Sequence, residues 1–253
     1  MSSSASAADP FLELTGERTL PGIAHENYWF RRHEAGYLAA AALLRLRAGD
    51  HLLDAGCGEG YGGELLRTRH DVHVVAADYD ALAVQHVRRT YPALRTVRTN
   101  LVALPFADAC FDVVVSLQVV EHLWDQPRFV RECARVLRPG GAIVVSTPNR
   151  LTFSPDGTTN LFHTRELDDA ELRELVAAVL PDVEVLGLHH GPRLLAWEAE
   201  HGPLVQAQLA TPPQAWPEAL AAFVSDTTSE DFVVTGDDLG GCLDLLALGR
   251  GRR

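Results

Sequence analysis

Lysine is absent from the chain, and all 22 of its basic side chains are arginine, a choice from which nothing catalytic is read. Set against 34 carboxylates, they leave a formal net charge of −12 and a pI near 5.3. A surface so short of cations lacks the many phosphate contacts that sequence-independent nucleic-acid binding requires, so no nucleic-acid partner is expected. Cysteine is scarce too: Cys57, Cys110, Cys133 and Cys242 are scattered with no CxxC spacing. That suggests neither a cysteine zinc cluster nor a disulfide framework and points to a reducing compartment. No apolar run approaches the roughly 18 residues of a membrane span, and the start has no basic segment followed by an apolar one. Membrane insertion and secretion are therefore not expected, and the cytoplasm is.

What is present is an ordinary globular composition, 253 residues with 47% hydrophobic, enough for one sizeable α/β domain. Residues 1–15 read as a disordered tail and 16–253 as the domain. Asn27 to Leu46 reads as a helical cap with Tyr28, Trp29 and Phe30 at its start. Short apolar strands at 51–55, 73–77, 94–98, 113–117 and 142–146 then alternate with helices at 61–69, 81–91 and 126–137. This alternation requires a mostly parallel sheet covered on both faces. Pro139-Gly140-Gly141 is expected to end a helix and turn into the next strand. Asp168, with Glu171 three residues on, resembles a capping box opening a helix over 169–180, and a strand at 183–188 follows. Residues 192–230 carry Pro203, Pro212, Pro213 and Pro217, break the alternation and read as an insertion. It would serve as an acceptor lid or as the contact of a homodimer. The chain ends in one or two further strands, within 232–234 and 242–248.

The most informative segment runs from Leu52 to Gly63: a buried strand, a glycine-rich turn and a helix start in succession. Glycines there let the chain turn sharply and let a ligand approach the backbone, while the helix start offers free N–H groups. Gly58 to Gly63 is literally GxGxxG, which brings a dinucleotide dehydrogenase into consideration. The register that follows the strand, however, begins at Gly56, giving Gly56-Cys57-Gly58-Glu59-Gly60 behind Asp54. A carboxylate at that strand end is a poor neighbour for a pyrophosphate. It suits a cationic ligand bearing an amino group, such as S-adenosylmethionine.

Later motifs extend the pattern: Leu104-Pro105-Phe106, Phe111-Asp112-Val113-Val114, Glu121-His122-Leu123 and Val136-Leu137-Arg138-Pro139-Gly140-Gly141. In this order and spacing the chain resembles the class I S-adenosylmethionine-dependent methyltransferases. The resemblance implies an α/β fold with a doubly wound, Rossmann-like, mostly parallel seven-stranded sheet, an N-terminal helical cap and a C-terminal insertion. It implies a donor site built from Asp54, Gly56, Cys57, Gly58 and Gly60. Asp78, ending the second strand beside Tyr79, would receive both ribose hydroxyls. Asn100, where the family usually has an aspartate, would meet the adenine amine, with Leu101 and Leu117 completing the pocket. Trp29 and Arg32 would fold over the donor, the arginine reaching its carboxylate, or belong to an amphipathic helix that only caps the sheet.

A closer resemblance rests on Leu14 to Thr19, Glu26 to His33, Gln118 to Gln126, Ser146 to Pro155 and Phe162 to Leu167. These segments are similar to actinobacterial sugar O-methyltransferases of methylglucose-lipopolysaccharide biosynthesis and to mycofactocin oligosaccharide methyltransferases. They imply a saccharide hydroxyl as the methyl acceptor, and Trp124 could stack on a sugar face or sit in the core. A hydroxyl must lose its proton during attack, and His122, in the loop after the fourth strand, is the first candidate base. His163 follows, then His189 and His190. Glu121 beside His122 offers a second mechanism, because some related O-methyltransferases hold Mg²⁺ through such a pair. Gln118 stands where one metal-dependent relative has another carboxylate. A phenolic, quinone or lipid acceptor is the alternative enzyme reading, and a non-catalytic cofactor-binding scaffold is the alternative class.

Overall fold

In the computed structural model, which describes residues 18–158 and 160–252, every apolar segment of the alternating pattern joins one sheet. The tail at 1–15 lies outside the described residues. The strands are β1 His51–Ala55, β2 His73–Asp78, β3 Arg95–Arg98, β4 Phe111–Leu117, β5 Leu137–Pro148, β6 Asp182–His190, β7 Phe232–Thr235 and β8 Asp244–Arg250. Their order is β3-β2-β1-β4-β5-β8-β6-β7. The first five pair in parallel, while β8 runs antiparallel between β5 and β6, and β7 antiparallel along β6. The sheet thus has eight strands rather than the expected seven. Both C-terminal segments find partners because β8 inserts between β5 and β6, leaving β7 to pair on one side only.

Side chains alternate across the sheet with the period of two that a strand imposes. Leu52, Val113, Val115, Val144 and Leu246 pack on one face, and Leu53, Val114, Ile143, Val145 and Leu245 on the other. The first face is covered by α1 Asn27–Leu44, α2 Tyr61–His70 and α3 Ala81–Thr90, the second by α4 Gln126–Val136 and, past the short α5 Arg150–Phe153, by α6 Asp169–Ala177. The expected capping box is present, with Asp168 and Glu171 each accepting the other's backbone N–H. Helix α1 stops two residues short of the expected Leu46 because Arg45 turns left-handed at φ 53°. Pro139-Gly140-Gly141 lies inside β5 rather than before it: Leu137 already pairs with Phe111, and the register shifts before Ala142 pairs with Val113. The helix gives way directly to a strand carrying a bulge, with Gly140 at φ 78°.

The insertion is helical: α7 Pro192–His201, α8 Leu204–Leu209 and α9 Glu218–Ser225 connect β6 to β7. Leu194, Leu204, Leu220 and Val224 bury into the same core as α1. The Asn27 amide donates to the carbonyls of Val224, Ser225 and Thr227, tying the insertion to the start of the cap.

Candidate active site

The turn after β1 is held from beside and below. The N–H groups of Gly56 and Cys57 both donate to Ala77 O at the end of β2. Gly56 has φ 90°, and a Cβ there would meet Val119 Cγ2 at 2.3 Å, so glycine is required twice over. Gly58, at φ 52°, differs: a Cβ would meet nothing within 4 Å and would project into open space. That space is a cleft of about 420 Å³ at the carboxyl edge of the parallel strands, where open α/β sheets bind ligands. Asp78 faces it, accepting from Gly58 N–H at 2.9 Å and Asp80 N–H at 2.8 Å, one bond to each carboxylate oxygen. Cys57, Tyr79, Leu101 and Leu117 line it as expected. Burial pushes the Cys57 thiol up, so it serves as a wall rather than a nucleophile.

Other expected donor contacts fall elsewhere. Asp54 is fully buried beneath the turn, where it accepts from Tyr37 OH at 3.2 Å, and it does not line the cleft. Burial pushes its carboxyl up to about 7. Gly63 belongs to this packing, since a Cβ on it would stand 3.1 Å from Asp54 Oδ2. Gly60 likewise yields to Val87, whose Cγ2 lies 2.7 Å from the site of a Cβ. Asn100 turns its Oδ1 to Val102 N–H and leaves the wall to Leu101. Arg32 is committed to a buried bidentate pair with Asp244, at 2.7 and 2.5 Å, and donates to Leu243 O. With Trp29, over whose ring it lies, Arg32 lines a neighbouring cavity instead of this cleft. The guanidinium lining this cleft is that of Arg18, whose Nη2 donates to Asp80 at 2.6 Å, followed by Thr19 between His33 and Tyr61.

The neighbouring cavity, about 460 Å³, shares Arg18, Thr19, His33, Gln118 and His122 with the first. Its floor is Glu121 and His163, and Leu209 of the insertion reaches its edge. The loop after β4 and the segment around His163 are stapled together: Thr164 N–H and Oγ1 both donate to Glu121 O, and Gln126 Nε2 bridges Val120 O and Arg165 O. His122 Nδ1 donates to Phe162 O at 2.9 Å, and His163 Nδ1 donates to Glu166 at 2.8 Å, both rings nesting edge to face at 5.0 Å. Glu121 is buried, its Oε2 has no hydrogen-bond partner, and burial pushes its carboxyl up to about 8. The histidine pair of β6 lies elsewhere, with His190 bonded to Tyr28 OH and Glu198. Trp124 is 92% exposed and is no part of the core.

Gln118 holds φ 56°, an unusual conformation for a side-chain-bearing residue, and presents its amide to Ser146 between the two cavities. Sequence reasoning missed its role, and those of Arg18, Thr19, Tyr37 and Glu166. Arg18 and Thr19 stand in a segment that carries the closer resemblance, yet nothing in its pattern says that it lies over the cleft.

An open α/β sheet with a glycine-turned cleft at its carboxyl edge, and a carboxylate ending the second strand, defines a nucleotide-cofactor protein of the doubly wound class. Residues 53–145 match the family described as a methyltransferase domain. A Mycobacterium tuberculosis protein described as a probable S-adenosylmethionine-dependent methyltransferase is 51% identical, covering 97% of this chain and 92% of the relative. A Mycolicibacterium smegmatis relative with the same description is 50% identical over 94% of each chain. Among solved structures, an S-adenosylmethionine-dependent methyltransferase from Thermotoga maritima superposes with a TM-score of 0.61 at 16% identity, over 88% of this chain and 93% of that one. The chain belongs to the S-adenosylmethionine-dependent methyltransferases. The dehydrogenase reading of its GxGxxG is thereby set aside.

Proposed function

We propose that this enzyme transfers the donor's methyl group to a hydroxyl oxygen, and that the acceptor is a saccharide. The observation that carries the reading is the wall shared by the two cavities, with His122 on it. Asp78 and the open backbone at Gly58 suit the polar edge of an adenosyl group, and Arg18 suits a carboxylate. When bound there, S-adenosylmethionine supplies a methyl carbon already activated by its sulfonium. The protein's own task is then to hold an acceptor oxygen in line and to take its proton.

We assign that proton to His122. Phe162 O can only accept, so Nδ1 carries a hydrogen, and Nε2 is the nitrogen that this reading assigns to the acceptor's proton. With the donor held by Asp78, the Gly58 backbone and Arg18, its sulfonium would supply the methyl group and the leaving group, and His122 Nε2 would take the acceptor's hydroxyl proton. A positioned base contributes about 10²–10⁴-fold. The acceptor cavity combines Glu26, Asn160, His163 and Glu121 with the ring of Trp29, a mixture of hydrogen-bonding groups and an aromatic face that suits a polyhydroxylated ring. A 27-O-demethylrifamycin SV methyltransferase of Amycolatopsis mediterranei, 39% identical over 42% of this chain, also supports an oxygen acceptor.

The test is incubation with labelled donor and a panel of glucosides, mannosides and phenols. Label in the glycosides, with turnover falling about 10²-fold or more in His122→Ala while donor affinity is kept, is the expected result. Label in phenols alone would end the saccharide reading, and donor binding without transfer to any acceptor would favour the scaffold.

A further inference from the structure

The Mg²⁺ implied by the Glu121-His122 pair fits this site poorly. Magnesium prefers six oxygen ligands in a near-octahedral shell. Here one carboxylate faces two imidazoles, and the Gln118 side chain offers its amide N–H to Ser146. A different ion fits. Glu121, His122 and His163 each bring one donor atom within 4.8 Å of the others. Donors around one ion at Zn–N distances of about 2.0–2.1 Å stand roughly 3.3 Å apart, so side-chain rotations of about 1 Å close the set.

Two further observations point the same way. Histidines that ligate a metal nearly always donate the other ring N–H to a backbone carbonyl or a carboxylate, which fixes the tautomer and aims the remaining nitrogen. His122 does this to Phe162 O, and His163 does it to Glu166, a pair whose side chains are 2% and 3% exposed. The third donor, Glu121, is a buried carboxylate with an unpartnered oxygen. We infer that Glu121, His122 and His163 form a site for a divalent ion that accepts imidazole, such as Zn²⁺, with Phe162 O and Glu166 as its outer supports. Three protein ligands leave a fourth position for water or an acceptor oxygen, since His122 and His163 both line the acceptor cavity.

One consequence rests on the proposed function. An imidazole that has given its Nε2 lone pair to an ion has none left for the acceptor's proton, so occupancy stops the transfer by that route.

The experiment uses the full chain stripped with chelator and then titrated with Zn²⁺, with Mg²⁺, and with Co²⁺ as a visible probe of ligand geometry. One Zn²⁺ per chain is expected, undisturbed by millimolar Mg²⁺, together with Co²⁺ absorption of tetrahedral intensity. His163→Ala should abolish that absorption, and Glu166→Gln, which keeps the shape of the pair, should weaken Zn²⁺ binding about 10–100-fold. Absence of stoichiometric Zn²⁺, equal competition by Mg²⁺, or binding that survives both substitutions would overturn the assignment. Inhibition by Zn²⁺ with the same midpoint as binding, reversed by chelator, supports both the site and the base. Binding without inhibition supports the site alone and contradicts His122 as the proton acceptor.

Discussion

Asp78 gives each of its oxygens to one backbone N–H, and through Gly58 it shapes the turn that follows β1. Removing it takes away the partner of two loop amides and, on the proposed reading, the ribose acceptor. Asp78→Ala should therefore weaken donor binding roughly 10–100-fold, as hydrogen bonds to a charged group are worth about 1.5–3 kcal/mol each, and titration calorimetry measures it. Arg32 has the opposite signature. Its loss leaves Asp244 buried without its partner, at a cost of about 3–5 kcal/mol. Arg32→Met should lower the midpoint of chemical denaturation while the folded fraction binds donor as the wild type does; a large loss of donor affinity would restore the sequence expectation that this arginine reaches the donor.

Asp54 ties a residue to pH. Its folded-state value of about 7 stands above the ordinary 3.8, so the fold binds a proton that the unfolded chain has released. Stability is then lost as pH rises from the unfolded value through the folded one, and the loss is complete above about 7. Between about pH 5 and about pH 8 the wild type should lose roughly 1–3 kcal/mol more than Asp54→Asn, read from denaturation curves of the two proteins. Parallel pH profiles would show that this carboxyl does not titrate in the fold.

At the scale of elements, the proposed catalytic site depends on two loops that only tertiary structure brings together. Thr164 Oγ1 donates to Glu121 O and Leu123 O, each at 2.9 Å, clamping the segment that carries His163 to the one that carries His122. Thr164→Val removes these bonds at nearly constant shape. It should reduce kcat about 10-fold, the equivalent of one or two net hydrogen bonds, with donor affinity unchanged. Such long-range staples leave no periodic trace in a sequence. The strand–glycine–helix segment does, because its geometry is local: Gly56 at φ 90° and Asp168 with Glu171 in their capping box were legible from residue type alone. The bulge at Pro139-Gly140-Gly141 was not, since proline and glycine mark a break equally well before a strand or within one.

For the molecule as a whole, alternation of strands and helices revealed the sheet, and the cleft proposed for the donor lies where its parallel strands end. The position of β8 between β5 and β6 could not be read, because an apolar strand does not specify its neighbours. That topology decided the fate of Arg32: Asp244, at the start of β8, lies under α1 and takes the guanidinium. It also brought Leu209 of the insertion into the lining of the second cavity.

The division of labour between the two cavities is tested most directly by a crystal structure with S-adenosylhomocysteine. The account predicts a ribose against Asp78, a carboxylate near Arg18 and the sulfur facing the wall at Gln118 and His122, open to the second cavity. A sulfur turned away from that wall, or a donor lodged beside Glu121 and His163 instead, would contradict it.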